Sequence, residues 1–318
     1  MRKDARTQAN VVLNQVHGYH EGHYNGNYAF QGFGENRYYT SDRFIRLDES
    51  FRRPDGKPLM GYGLEIETEC RGITNATVYA ETLQKIILSQ FPEYLFKLQR
   101  DGSLGGDVSA ECITQVMTRE FIRNNYKAFK AMYDVYFPAF GISCASSGNC
   151  GMHVNISCAC FGKTKESQAL AIRKLLYFVN HHFNFCCTLF NRNMNRTCYC
   201  SRMSGYDFKD ACKTVSLANF YSDHGVCFNL GHYEEGRIEL RLVGGQSTFG
   251  CFRNTMESLF WLVGQMKRLS WDDLDDLGKV FDGCNQYVCD RLNTLCRRAG
   301  TISEHDLAKI TVEREELL

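Results

Sequence analysis

The sequence predicts an α+β fold, a curved antiparallel sheet with a polar, concave face and helices packed on the other face. Two observations carry that reading. First, two pairs of strand-like segments are joined across turn signals: residues 94–100 and 108–113 flank Asp101-Gly102-Ser103, and residues 226–230 and 237–243 flank the segment from Gly231 to Gly236. An Asp-Gly pair is favoured where a hairpin needs positive φ, and a hairpin makes its two strands antiparallel. Second, the strands alternate charged with apolar residues. In residues 61–69, Leu64 and Ile66 alternate with Glu65 and Glu67. Buried parallel strands are continuously apolar instead, so strands separated by helices do not signify a doubly wound sheet here.

The elements follow in chain order. Residues 1–60 form an N-terminal arm dense in Tyr, Gly, His and Asn, with no helical period and too few aliphatic side chains for a core of its own. His17, His20 and His23 sit three apart on it, without the cysteines or carboxylates that would complete a metal site, and are read as part of a surface arm. After the strand at 61–69, Val78, Leu83, Ile86, Ile87 and Leu88 give residues 77–91 a helical period. Thr118 is placed to cap a long helix that begins with Glu120 in its first turn, runs to Phe137 and is ended by Pro138. Residues 151–158 return to strand, and residues 165–190 read as one strongly apolar helix. Residues 192–223 read as loops with short elements. From Cys251 onward the pattern is helical, with breaks near Ser270, Gly283 and Gly300.

Composition narrows the classes of function. The 318 residues carry 37 basic and 36 acidic side chains, which argues against a protein that holds nucleic acid by neutralising phosphates. The most apolar runs are about one helical turn long, too short to span a bilayer, and Met1 to Gln15 lacks the apolar middle of a secretory signal. A cytoplasmic protein with no membrane partner is expected. Sixteen cysteines then need an account. None is spaced Cys-x-x-Cys, so they are read as reduced, buried small hydrophobes rather than as a zinc or disulfide framework.

The polar strand positions carry the chemistry. Glu65 and Glu67 share a face, as do His153 and Asn155, and as do Glu239 and Arg241, while Glu111 lies on the second strand of the first hairpin. Singly, each has a plain structural explanation. A Glu-x-Glu strand is commonly a solvated edge, a strand histidine a satisfied surface or core residue, and Glu239 with Arg241 a surface ion pair worth little. Together, four glutamates with one histidine are expensive to desolvate unless they meet cations, and such donors suit magnesium or manganese.

The order of these motifs points further. Gly61-Tyr-Gly-Leu-Glu-Ile-Glu-Thr-Glu69, Asp101-Gly-Ser-Leu104, Ala110-Glu-Cys-Ile-Thr114, Gly151-Met-His-Val-Asn155 and Arg237-Ile-Glu-Leu-Arg241 resemble the amidoligase family, which has the glutamine synthetase and glutamate–cysteine ligase fold. The resemblance runs from about Gly61 to about Leu269 and divides the chain into the arm at 1–60, a catalytic domain at 61–270 and C-terminal helices at 271–318 packed on it. It implies an ATP-dependent carboxylate–amine ligase, in which Glu65, Glu67, Glu111, His153 and Glu239 hold divalent ions around the ATP phosphates. It also implies that Arg241 neutralises the transferred phosphoryl group, with Arg196 as a second phosphate or carboxylate contact. Tyr199, Asn229, Ser103 and Asn155 fall at nucleotide-side positions, and Asp101, or Glu69, is placed to take the proton of an attacking amine. Family members often carry a second histidine where this chain has Asn155.

Those residue types suit the reaction. A carboxylate is first converted to an acyl phosphate, which asks for positive charge on the phosphoryl oxygens, and an amine then displaces phosphate to form an amide or isopeptide bond. The expected partners are ATP, Mg2+ or Mn2+, a carboxylate and an amine. Two alternatives share the same motifs: a phosphotransferase acting on a guanidino or other acceptor, and a non-catalytic binding module derived from a ligase.

Overall fold

The computed structural model describes residues 59–92, 95–99, 104, 108–144, 150–193, 200–203, 208–220 and 225–312. The N-terminal arm with its three histidines, and Asp101, Ser103, Arg196 and Tyr199, lie outside the described residues. The architecture is α+β. Seven strands, β1 (Tyr62–Cys70), β2 (Phe96–Gln99), β3 (Ser109–Thr114), β4 (Ile142–Ser143), β5 (Met152–Ser157), β6 (Phe228–Asn229) and β7 (Arg237–Leu240), form one open antiparallel sheet. Its order is β2-β3-β1-β5-β7-β6, with β4 paired beside β1. Both expected strand pairs are present, β2 with β3 and β6 with β7. The chain divides into two compact units, Tyr62–Val154 with Gly245–Phe249 and Asn155–Gly244 with Gly250–Leu318.

In the first unit, β1 has a neighbour on each side, so its backbone groups are used twice and its two faces must both be filled. Leu64, Ile66 and Thr68 are fully or almost fully buried on one face. Helix α1 (Ala76–Gln90), capped by the Asn75 side chain on Val78 N–H at 3.0 Å, meets that face where the Tyr79 and Thr68 hydroxyls lie 2.6 Å apart. Phe91 packs on Phe96 and Phe129 at 5.0 and 4.9 Å between ring centroids, joining the end of α1 to β2 and to the helices that follow.

Those helices depart from the expected single rod. Thr118 does cap the start, accepting Phe121 N–H at 3.1 Å. The helical path then breaks into α2 (Arg119–Asn124) and α3 (Tyr126–Lys130) at Asn125, whose side-chain amide donates to Phe121 C=O. A π-helical turn over Ala131–Tyr136 follows, and then α4 (Phe137–Phe140). Pro138 does not end the helix. It sits in the first turn of α4, where its missing N–H costs little, and Gly141 at φ +72° ends the run.

In the second unit, α5 (Lys165–His181) begins with a reciprocal capping box between Thr164 and Ser167. The expected helix over 165–190 is two helices, because α5 stops at His182 and α6 (Phe183–Leu189) restarts after it. The His182 Nε2 faces Leu274 C=O at 2.8 Å, so that nitrogen donates, which fixes the tautomer. After α7 (Phe208–Thr214) and α8 (Phe249–Met266) come three short helices, α9 (Leu277–Phe281), α10 (Gln286–Arg291) and α11 (Glu304–Ala308). Gly283 and Gly300, at φ +75° and +66°, mark two of the three expected breaks. Long-range bonds tie this segment down. Lys174 Nζ donates to Leu269 C=O, Trp261 Nε1 to Val280 C=O, and Arg291 to the carbonyls of Leu189 and Thr188 at the end of α6. Phe281 packs on Phe178 and Phe185.

Twelve of the fifteen described cysteines are buried, in keeping with their reading as small hydrophobes, and none of the fifteen is in a disulfide. Burial pushes the Cys187 and Cys284 thiols up to about 12 and the Cys200 and Cys296 thiols up to about 11, which leaves little thiolate at neutral pH. Among the described residues no helix is long and apolar enough to cross a membrane.

The acidic residues on either side of α9 link stability to pH. Lys279 and Ser270 bond the Asp273 carboxylate, holding it down to about 2; Lys309 lowers Asp276, and Thr311 lowers Asp282. Because these folded-state values lie below the ordinary carboxylate range, the unfolded chain takes up more protons as pH falls from about 4 towards 2. Their contribution is present above pH 4 and lost across that window. Urea midpoints measured from pH 5 to pH 2 should therefore fall less steeply for D273N than for the unaltered chain.

Candidate metal centre

Three adjacent strands of the first unit bring the acidic positions together. Period-2 alternation turns Glu65 and Glu67 to the face of β1 opposite Leu64 and Ile66. On one side, the β1–β3 register sets Glu111 directly across from Glu67. On the other side, Glu67 N–H bonds Gly151 C=O at 3.1 Å, and the Glu67 carboxylate accepts Gly151 N–H, so this side chain is fixed to the entry of β5. His153, two residues on, places Nδ1 3.2 Å from Glu65 Oε2 and Nε2 3.6 Å from Glu67 Oε1. Glu67, Glu111 and His153 are only 4%, 6% and 6% exposed. The solvated-edge explanation of Glu-x-Glu is thereby overturned, since β1 is a central strand and Glu67 is buried.

Glu65, Glu111 and His153 each offer a ligand atom, and these atoms all lie within 4.8 Å of one another. Ligands of one small cation bound at about 2.0–2.6 Å are separated by at most about twice that distance, so the spacing fits a single ion. Two carboxylates and one imidazole suit manganese or magnesium better than the thiolate-preferring metals.

The second unit holds the other polar positions. Glu239 uses both carboxylate oxygens, Oε2 accepting from Asn229 Nδ2 and Oε1 from Arg241 Nη1, each at 2.8 Å. With side chains 6% and 14% exposed, Glu239 and Arg241 are not the exposed surface pair of the simplest explanation. Arg192 donates to the carbonyls of Arg241 and Leu242, anchoring the strand end that carries Arg241. Asn155, fully buried, accepts a hydrogen bond from Arg237 Nη1, and Arg237 is itself buried.

Arg237 is the polar-face residue that reading for ligands passes over. Its signal is its spacing, two before Glu239 and four before Arg241, which gives all three one face. Arg192 has no such signal, because its contacts lie 49 and 50 residues away. No protein-family model and no curated protein matches the chain.

Asn155→Ala removes the acceptor from a buried guanidinium. A hydrogen bond to a charged group contributes about 1.5–3 kcal/mol, so urea denaturation should show a loss of that size. A change under about 0.5 kcal/mol would mean that water or another acceptor replaces the amide.

Proposed function

We propose that this chain is an ATP-dependent carboxylate–amine ligase, built on a concave polar sheet face, with a magnesium or manganese ion held by Glu65, Glu111 and His153. One observation carries the reading: the convergence of those three ligand atoms from three neighbouring strands, at positions that the amidoligase resemblance picks out independently. The ion, when bound, supplies positive charge to phosphate oxygens.

The side chains have separate tasks in this reading. Glu67, held by Gly151 N–H, keeps the His153 ring oriented between two carboxylates. Glu239 is the further acidic ligand that the resemblance implies, and Asn229 fixes its rotamer. Arg241 meets charge developing on the phosphoryl group as it passes to the substrate carboxylate. Asn155, in place of the family's second histidine, positions Arg237 rather than binding the ion. Asp101, or Glu69, takes the proton of the attacking amine, Arg196 contacts phosphate or the substrate carboxylate, and Tyr199 and Ser103 serve on the nucleotide side. ATP phosphorylates the substrate carboxylate, giving ADP and an acyl phosphate. A neutral amine then displaces inorganic phosphate, so the amide carries the atoms of acid and amine less one water, whose oxygen leaves on the phosphate.

Calorimetric titration with Mn2+ should show a saturable site in the unaltered chain. Glu111→Gln and His153→Ala should each weaken it at least about tenfold, more than loss of an outer-sphere partner commonly does. Absence of saturable binding sinks the metal assignment. Incubation with ATP, Mg2+ and pooled amino acids and polyamines, followed by mass spectrometry, should reveal an acid and an amine joined with loss of one water. A stable phosphorylated acceptor would instead identify a phosphotransferase.

Arg241→Lys keeps the charge but loses the planar fork that holds two phosphate oxygens. It should fold and bind Mn2+ as the unaltered chain does, while forming the amide about a hundredfold to a thousandfold more slowly. Unchanged turnover would remove Arg241 from the chemistry.

A further inference from the structure

A cleft of about 400 Å³ opens in the second unit, between the junction of α5 with α6 and the left-handed turn at Gly300. His181, His182, Asn184, Arg202 and Thr301 are among the residues lining it, with Phe185, itself buried. None of these residues belongs to the polar sheet positions described above.

Its charge is one-sided. No carboxylate is among the described residues that line it, whereas the Arg202 guanidinium is; burial lowers the His182 pKa, so that ring adds an aromatic surface rather than a charge. The nearest acids are already engaged. Asp275, 3.8 Å from His181 Nε2, accepts from Lys209 Nζ at 2.7 Å and from the Tyr177 hydroxyl at 2.5 Å. Asp306 accepts from the Ser303 hydroxyl at 2.6 Å and lies 3.8 Å from Lys309 Nζ. Arg202 and the Asn184 side-chain amide, by contrast, have no hydrogen-bond or ion-pair partner among the described residues.

The two imidazoles are held rather than adrift. His181 stacks on Tyr177 with 25° between planes, and its ring lies edge-on to His182 at 4.6 Å. His182 is pinned through Nε2 to Leu274 C=O. Two held imidazoles therefore line the same cleft as a guanidinium and an amide whose donors have no partner among the described residues.

We propose that this cleft binds a small organic anion through a carboxylate or phosphate group, with the Arg202 fork taking two of its oxygens and Asn184 and His181 donating beside it. A planar guanidinium matches either group bidentately, and an aromatic wall suits the organic part of such a ligand. The inference is independent of the ligase reading, because it uses neither the metal cluster nor Arg241.

The test uses the full chain in metal-free buffer, titrated separately with inorganic phosphate and with citrate while the imidazole NMR signals of His181 and His182 are followed. His181→Gln identifies the first of these signals. At least one probe should shift both signals saturably, and the probe that does so assigns the phosphate or the carboxylate class. Arg202→Gln, a change at an exposed side chain with no partner among the described residues, should leave the urea midpoint unchanged and weaken binding about tenfold or more, as expected for loss of a charge-assisted bond. No saturable shift with either probe, or equal affinity in Arg202→Gln, overturns the proposal.

Discussion

A central strand with carboxylates on one face sets the terms for the rest of this molecule. β1 has hydrogen-bonded neighbours on both sides, so it cannot be moved to a solvated edge without dismantling the sheet. Its apolar residues meet α1, and its glutamates then have to be buried on the opposite face. An ionised carboxylate taken out of water costs several kcal/mol unless donors or cations replace the lost hydration. Each unit meets that demand with different chemistry. The first surrounds Glu67 with a backbone N–H and an imidazole, whereas the second surrounds Glu239 with an amide and a guanidinium. The first arrangement leaves carboxylate and imidazole atoms close enough to share a cation, and the second satisfies both oxygens from within the protein.

Much of this was legible in the residues, and the limits have physical causes. Alternation in residues 61–69 and the two hairpins sufficed for the antiparallel sheet, because strand period and turn chemistry are local. Thr118 was recognisable as a cap for the same reason. The π turn at Ala131–Tyr136 was not, since one wider turn shifts the apolar period without adding a residue type that marks it. Nor was the break at His182, because it depends on a carbonyl 92 residues away. At the candidate site, face-sharing picked out Glu65 with Glu67 and His153 with Asn155, and the first hairpin picked out Glu111. The register that puts Glu111 opposite Glu67 needed the structure. Asn155 illustrates the reverse case: the resemblance placed it on the nucleotide side, whereas its hydrogen bond from Arg237 gives it a structural task.

The second unit depends on distant bonds as much as on its apolar core. Lys174, a buried ammonium whose affinity for its proton is lowered by desolvation, is held by the Leu269 carbonyl. The aromatic contacts of Phe281 with Phe178 and Phe185 join the same two stretches of chain. Short helices such as α9 and α10 are too brief to persist alone in water, so these contacts are what order them.

Arg291 carries this dependence into biosynthesis. Its guanidinium bonds the carbonyls that end α6, yet it follows Leu189 by 102 residues. At translation rates of about 5–20 residues per second, α6 waits several seconds for the side chain that satisfies its last carbonyls. During that interval the apolar surface of α5 and α6 has no α9 or α10 to cover it. A nascent chain in that state exposes that apolar surface to other chains, and its vulnerability to aggregation ends only when the segment around Arg291 has left the ribosome.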